Sequence, residues 1–272
     1  MLVHDAFASS HVWHDFVPRL PSGHRVLVAD LAAHGRSDPP LAVVAGQLTV
    51  RAHASRLAAL LDRLGVGRAV LVGHGVGAAV VASAAWRRPE SVAGLTLIAP
   101  TALPADAPRP FRRVARLLPL WRRLPAPWVA SSLHSASVRG YAERERGARS
   151  ADVVLRPMRG FDSVGRDAAC AQLAALVAPD TSLTPQELAQ LGDRLAAASV
   201  PISVIGGAGD PGCSQATLAA VAHALRASAM VLPGARHALP EEQPDAVLAA
   251  IERTLDAALP SLTPLSTPVI PA

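Results

Sequence analysis

The sequence predicts an α/β fold: a mostly parallel sheet with helices on both faces and a helical cap inserted between two halves of the core. Three observations predict it. Strand and helix signals alternate at both ends of the chain, the pattern of a parallel sheet built from strand–helix–strand units. The runs Ala69–Val72 and Val92–Ala99 are continuously apolar, as in strands buried on both faces. Between Thr101 and Ser199 the strand signal stops, and helical stretches are punctuated by Pro104, Pro108, Pro110, Pro119, Pro125, Pro127 and Pro157.

Taken in order, Met1 to His4 is a short apolar strand and Ser10 to Leu20 a helix. Arg25 to Ala29 is the next strand, closed by the polar turn His34-Gly35-Arg36-Ser37-Asp38. Leu48 to Leu64 carries apolar residues at helical spacing and stops at Gly65, a helix-ending residue. Ala69 to Val72 is a central strand, Gly77 to Trp86 a helix of small residues ended near Pro89, and Val92 to Ala99 another buried strand. After the insertion come a strand at Pro201–Ile205, a helix at Ser214–Leu225, a strand at Ala229–Leu232 and a helix at Glu241–Ala258. The expected organisation is core over 1–100, cap over 101–199, core over 200–259 and a disordered proline-rich tail over 260–272. The tail carries four prolines.

Composition removes several function classes. A chain of 272 residues that is 50% hydrophobic buries a full core. No apolar run approaches the roughly 20 residues that span a bilayer. The start, Met1-Leu2-Val3-His4-Asp5, is not a secretion leader, so a cytoplasmic setting is expected. Net charge is +5 and every basic residue is arginine, but aromatics are only 3%, which leaves little to stack on bases; no nucleic-acid partner is expected. The basic stretch Phe111–Arg123 is broken by Pro119 and reads as a cap helix with a solvated basic face. Cys170 and Cys213 match no metal spacing and read as reduced thiols. No metal and no cofactor is expected; the partner is a small molecule.

The run Leu71-Val72-Gly73-His74-Gly75-Val76-Gly77-Ala78 reads as strand, sharp turn, helix. It is the G-x-S-x-G nucleophile elbow with glycine where the serine belongs. Glycine tolerates the positive φ of that turn, so Gly75 fits the elbow while deleting the nucleophile. The same residues also match a G-x-G-x-x-A dinucleotide fingerprint. That reading is weaker, because strands precede the motif and Leu97-Ile98-Ala99-Pro100 offers no acid for a ribose.

Four stretches together resemble the α/β-hydrolase superfamily from Met1 to about Ala258. They are His4-Asp5-Ala6 with Trp13, the His34–Asp38 turn, the Gly73–Gly77 elbow, and Gly209-Asp210-Pro211 paired with Arg236-His237-Ala238. Three positions depart from the family pattern: Ala33 stands for the first glycine of the turn, Gly75 replaces serine, and Asp5 stands where glycine is usual. The resemblance implies that His237 is the general base, that Asp210 orients it, and that the amides of Ala6 and Val76 form the oxyanion hole. Asp5 brings a carboxylate near that hole, where it would repel a developing oxyanion. His74 is expected to pack structurally, and Ser9, Ser10, Ser37 and Cys213 lie off the elbow. Family members usually carry two strands before the one at Met1, so Arg25–Ala29 is expected to be an exposed sheet edge.

The expected function is a hydrolase acting on a small apolar ester, lactone or thioester. His237 and Asp210 would activate a water held in the space of the missing hydroxyl. The alternatives are an inactive pseudo-hydrolase that binds a ligand, a non-hydrolytic enzyme using His237 as a base, an engineered serine-to-glycine variant, and, least favoured, a dinucleotide-binding protein. Fluorophosphonates should not label the chain, and Gly75→Ser should raise turnover of p-nitrophenyl esters.

Overall fold

The computed structural model describes residues 1–6, 8–39, 45–101, 103, 120, 166–177 and 182–262. Six strands form one sheet: β1 (Leu2–Val3), β2 (Val28–Ala29), β3 (Ala69–His74), β4 (Val92–Ile98), β5 (Ile202–Gly207) and β6 (Ala229–Leu232). Their order is β2-β1-β3-β4-β5-β6, and every neighbouring pair is parallel. The second strand lies at the edge, as the sequence led us to expect.

Parallel strands need crossovers, and the helices supply them. They are α1 (Val50–Arg63), α2 (Val76–Arg87), α3 (Arg166–Val177), α4 (Pro185–Ala197), α5 (Gln215–Ala224), the single turn α6 (Leu239–Glu242) and α7 (Pro244–Ala258). The strand side chains alternate between two cores. Leu71, Leu95, Leu97 and Val204 join α1, α2, α4 and α5 on one face. Val70, Val72, Ile98 and Ile205 join α7, Trp13 and Phe16 on the other. β3 and β4 are buried at every residue, which accounts for their unbroken apolar sequence.

Two expected helices are each divided, and proline is the reason. Ser10–Leu20 forms two short 3-10 helices, Ser10–Trp13 and Val17–Arg19. Pro18 has no amide hydrogen and its ring crowds the preceding turn, so an α-helix does not run through it. Glu241–Ala258 breaks between α6 and α7 at Gln243, whose φ/ψ of −136/61 lies outside the helical region. Pro244 imposes that departure on the residue before it.

Most of the stretch expected to form a cap lies outside the described residues, as does the tail from 263 onward and the basic segment at Phe111–Arg123 apart from Leu120. Of the rest, α4 packs against α2 and α5. Its start is a capping box: Thr184 Oγ1 accepts from the Glu187 amide at 3.2 Å, and the Thr184 amide donates to Glu187 Oε2 at 2.8 Å. Glu187 also pairs with Arg51 of α1 at 2.7 Å. α3 reaches the His34 turn, where Gln172 Nε2 donates to the Ala33 carbonyl at 2.5 Å.

Candidate active site

Side chains gather where the parallel strands end, because the loops at that edge are adjacent in space. Asp5 follows β1, Gly75 follows β3, Asp210 follows β5 and His237 follows β6. Since β1 pairs directly with β3, the Asp5 loop lies against the elbow.

The elbow is built from close approaches. Gly75 has φ 58 and ψ −120, in the left-handed half of the map that favours glycine. Its amide donates to the Ile98 carbonyl at 2.9 Å. Gly77 lets α2 reach β1, since a Cβ there would collide with the carbonyls of Val3 and His4. Helix α2 therefore begins at the reacting edge with its first amide, that of Val76, directed outward.

A helix start with no side chain at its N-cap needs another acceptor. Gly75 provides no side-chain cap, and Asp5 takes that role from 71 residues away: Oδ1 accepts from Val76 N at 2.5 Å and from Ala6 N at 2.7 Å. The two amides expected to form an oxyanion hole do converge on one point, and a carboxylate oxygen sits there. A Cβ built on Gly75 would fall on the same carboxylate, meeting Oδ1, Cγ and Oδ2. The place of the missing hydroxyl is therefore filled by Asp5. The expectation that a water occupies it is corrected.

The other Asp5 oxygen faces the imidazole. His237 Nε2 lies 3.0 Å from Asp5 Oδ2, and Nδ1 lies 2.8 Å from Asp210 Oδ2. Asp210 is itself fixed by the Gly212 amide, which donates to Oδ1 at 2.6 Å, and its side chain is fully buried. Burial alone would lower the His237 pKa. The charge and hydrogen bond of Asp210, joined by those of Asp5, outweigh it and raise the pKa to about 10. Burial alone would raise the Asp5 pKa; the hydrogen bond and charge of His237, with His74 and the Val76 amide, hold it well below the usual carboxylate range. At neutral pH the site is an imidazolium between two carboxylates, and both ring nitrogens donate.

Further histidines fix these loops while remaining neutral. The Leu31 amide donates to His4 Nε2 at 3.0 Å, so Nδ1 carries the hydrogen and donates to the Asp5 carbonyl at 2.7 Å. Burial lowers the His4 pKa, in keeping with that acceptor role. His74 Nε2 donates to the His237 carbonyl at 2.8 Å, tying the elbow to the loop after β6. His34 and His53 are buried beside a small cavity that also touches Ala6 and Val76; burial, then neighbouring positive groups, lowers both to about 3.

The structure brings together Gly75, Ala6, Val76, Asp210 and His237 as the sequence reading grouped them. Ser37 and Ser9 are engaged elsewhere, and the Cys213 thiol is buried. Ser37 Oγ donates to the Asp30 carbonyl at 2.8 Å and Ser9 caps the first 3-10 helix. Cys213 is buried, and burial followed by the Asp210 charge pushes its pKa up. Two residues were passed over. Asp30 organises the His34–Asp38 turn, accepting from the amides of Ser10 at 2.6 Å and Arg36 at 3.1 Å. Asp5 was marked as a disturbance, not as a member of the site. The signal was present: two departures from one pattern, at positions 5 and 75, compensate each other in space. Among the described residues no group of three or more His, Cys, Asp or Glu is arranged to hold a metal ion, and no helix is long and apolar enough to cross a membrane.

Comparison with known proteins agrees with this architecture. The family model for the alpha/beta hydrolase fold matches residues 1–244. A lipase, LipV, of Mycobacterium tuberculosis is 38% identical over 100 residues, covering 37% of this chain and 36% of that protein. A putative carbamate hydrolase of Pseudomonas savastanoi is 38% identical over 90 residues, 33% of this chain and 34% of the relative. These matches thus span about a third of the curated relatives. Among solved structures, a thermophilic esterase from Thermogutta terrifontis superposes with TM-score 0.69 at 26% identity, covering 94% of this chain and 89% of its own. A hydrolase from Pseudomonas aeruginosa gives 0.73 at 24%, covering 93% and 88%; at that identity the likeness speaks for the fold. The chain belongs to the α/β-hydrolase fold family.

Proposed function

We propose that this α/β-hydrolase-fold protein is a hydrolase in which His237, oriented by Asp210, activates water to cleave an ester-type bond without a serine acyl-enzyme. The carrying observation is the buried 2.8 Å contact between Asp210 Oδ2 and His237 Nδ1, with Nε2 3.0 Å from Asp5 Oδ2, the carboxylate whose other oxygen accepts from the Ala6 and Val76 amides. A base held by an acid, beside two convergent amide donors, is the apparatus of ester hydrolysis. The substrate class is a small, mostly apolar ester, lactone or thioester.

The closed Asp5–His237 pair favours a second reading, a ligand-binding pseudo-hydrolase. A substrate carbonyl reaches the two amides only if Asp5 Oδ1 gives them up, and His237 is a base only after losing the proton that two carboxylates hold on it. Turnover of p-nitrophenyl butyrate and of small lactones by the purified chain and by His237→Gln separates the two. The hydrolase reading expects the substitution to lower the rate by about 10²–10⁴-fold. Equal rates would sink it and leave the binding reading.

A further inference from the structure

We propose that His34 and Gln172 form a subsite for a neutral NH2 group, and that the ester-type substrate of this protein carries a primary carboxamide. The inference rests on the reading of the Ala6 and Val76 amides as the place of the reacting carbonyl, and it names a feature of the molecule that lies there.

Two buried acceptors are left over. His34, in the turn after β2, is 5% exposed, and Gln172, on α3, is 3% exposed. The Ala32 carbonyl, 3.0 Å from His34 Nδ1, can only accept, so Nδ1 carries the hydrogen. The ring is neutral, and Nε2 keeps a lone pair. The Ala33 carbonyl likewise fixes the side-chain amide of Gln172. Its Nε2 donates there at 2.5 Å, which leaves Oε1 as an acceptor. Among the described residues, neither His34 Nε2 nor Gln172 Oε1 has a hydrogen-bond partner. Buried acceptors without a partner are uncommon, and each lowers stability until a donor reaches it.

Both residues line one cavity, together with Leu31, His53, Ala6 and Val76. At about 20 Å³ it has room for one water-sized group. It lies between the turn after β2, helices α1 and α3, and the two residues whose amides converge on Asp5 Oδ1. A molecule with its reacting carbonyl at those amides therefore has this cavity as its neighbour.

The two lone pairs select the group. A carbonyl, ether or carboxylate would set its own lone pairs against them. A hydroxyl has one hydrogen for two acceptors. An ammonium has hydrogens enough, but the surroundings oppose a cation. The rings of His4 and His53 lie 5.2 and 6.1 Å from that of His34. Burial, then the positive charge these two rings could carry, holds His34 neutral, and Asp30 acts against them more weakly. A neutral NH2 has two hydrogens on one water-sized nitrogen, one for each acceptor. Aliphatic amines are protonated at neutral pH. A carboxamide nitrogen is not, so the primary carboxamide is the class that fits.

The test compares methyl malonamate and methyl succinamate with methyl acetoacetate and methyl levulinate, in which CH3 stands for NH2. Hydrolysis by the unmodified chain, His34→Phe and Gln172→Leu is followed by NMR, and the ring signals of His34 are read in the unmodified chain. At least one carboxamide ester should exceed its ketone partner by about 10-fold or more in kcat/KM, through KM. It should also shift the His34 signals, which the ketone leaves in place. Both substitutions should bring the ratio within each pair close to one. Because that ratio is taken within one variant, partial unfolding does not imitate the result. Equal rates within both pairs and unmoved His34 signals would mean that a trapped water only serves the two acceptors, and would overturn the proposal. A ratio that survives both substitutions overturns it too. If p-nitrophenyl butyrate hydrolysis still depends on His237 in those cases, the hydrolase reading stands without the subsite. If no ester is turned over but a carboxamide alone moves the His34 signals, the subsite stands and the hydrolase reading falls.

Discussion

The loops after β1 and β3 lie side by side at the carboxyl edge of the sheet, and they depart from the hydrolase pattern in opposite directions. The β3 loop has lost a side chain, since Gly75 caps α2 with none. The β1 loop has gained one, and Asp5 reaches across to accept the Val76 amide at 2.5 Å. Either change alone would be harmful. A bare elbow leaves the outward amides without an anion-like partner, and a serine facing Asp5 leaves two groups in one space. Together they exchange a neutral hydroxyl for a fixed charge, which reverses the electrostatics of the site. His237 Nδ1 and Nε2 lie 2.8 and 3.0 Å from the Asp210 and Asp5 carboxylates, which raise its pKa to about 10.

The largest expected effect comes from restoring both positions at once. Asp5→Gly combined with Gly75→Ser clears the oxyanion site and returns a hydroxyl to the elbow. p-Nitrophenyl butyrate hydrolysis should rise by about 10³-fold or more over the unmodified chain, the scale on which removal of a triad member acts. Gly75→Ser alone, which the sequence by itself recommends, should give little, because the new Cβ meets the Asp5 carboxylate. A large gain from the single change would mean that the two loops are independent.

A smaller effect reads the charge directly. Asp5→Asn keeps an oxygen for the amides and removes the charge beside Nε2, so the His237 pKa should fall from its raised value of about 10. Histidine side-chain NMR should show His237 protonated across neutral pH in the unmodified chain and titrating at lower pH in the variant. Stability follows with a definite sign. A histidine raised above its unfolded pKa of about 6.5 contributes stability that is complete below that value and is lost as pH rises through about 10. In Asp5→Asn the loss should be smaller and end at lower pH in an alkaline denaturation series. An unchanged titration would mean that Asp5 does not face the ring in solution.

The smallest effect lies away from the site. Thr184→Ala removes one half of the α4 capping box and should lower unfolding free energy by about 1 kcal/mol, with hydrolysis unchanged. It serves as the control for substitutions that act only through stability.

Much of this architecture was legible because the signals are local. The apolar runs at 69–72 and 92–99 fall in strands buried at every residue. Gly73, Gly75 and Gly77 mark the turn, and the order of Asp210 and His237 after successive strands puts them at one edge. The broken helices were legible too, had Pro18 and Pro244 been weighed against the apolar spacing around them. The role of Asp5 was not local. It depends on β1 pairing with β3, which places residues 5 and 75 in the same few cubic ångströms. Read alone, Asp5 is a defect in an oxyanion loop and Gly75 a lost nucleophile. Only their proximity in space turns two defects into one substitution.

The most direct measurement of that claim is covalent labelling by a fluorophosphonate of the unmodified chain, Gly75→Ser, Asp5→Gly and the double variant, read by intact mass. The account predicts labelling of the double variant alone, near one phosphonate per chain. Equal labelling of Gly75→Ser with Asp5 still in place would show that the carboxylate does not occupy the site of the hydroxyl, and would contradict it.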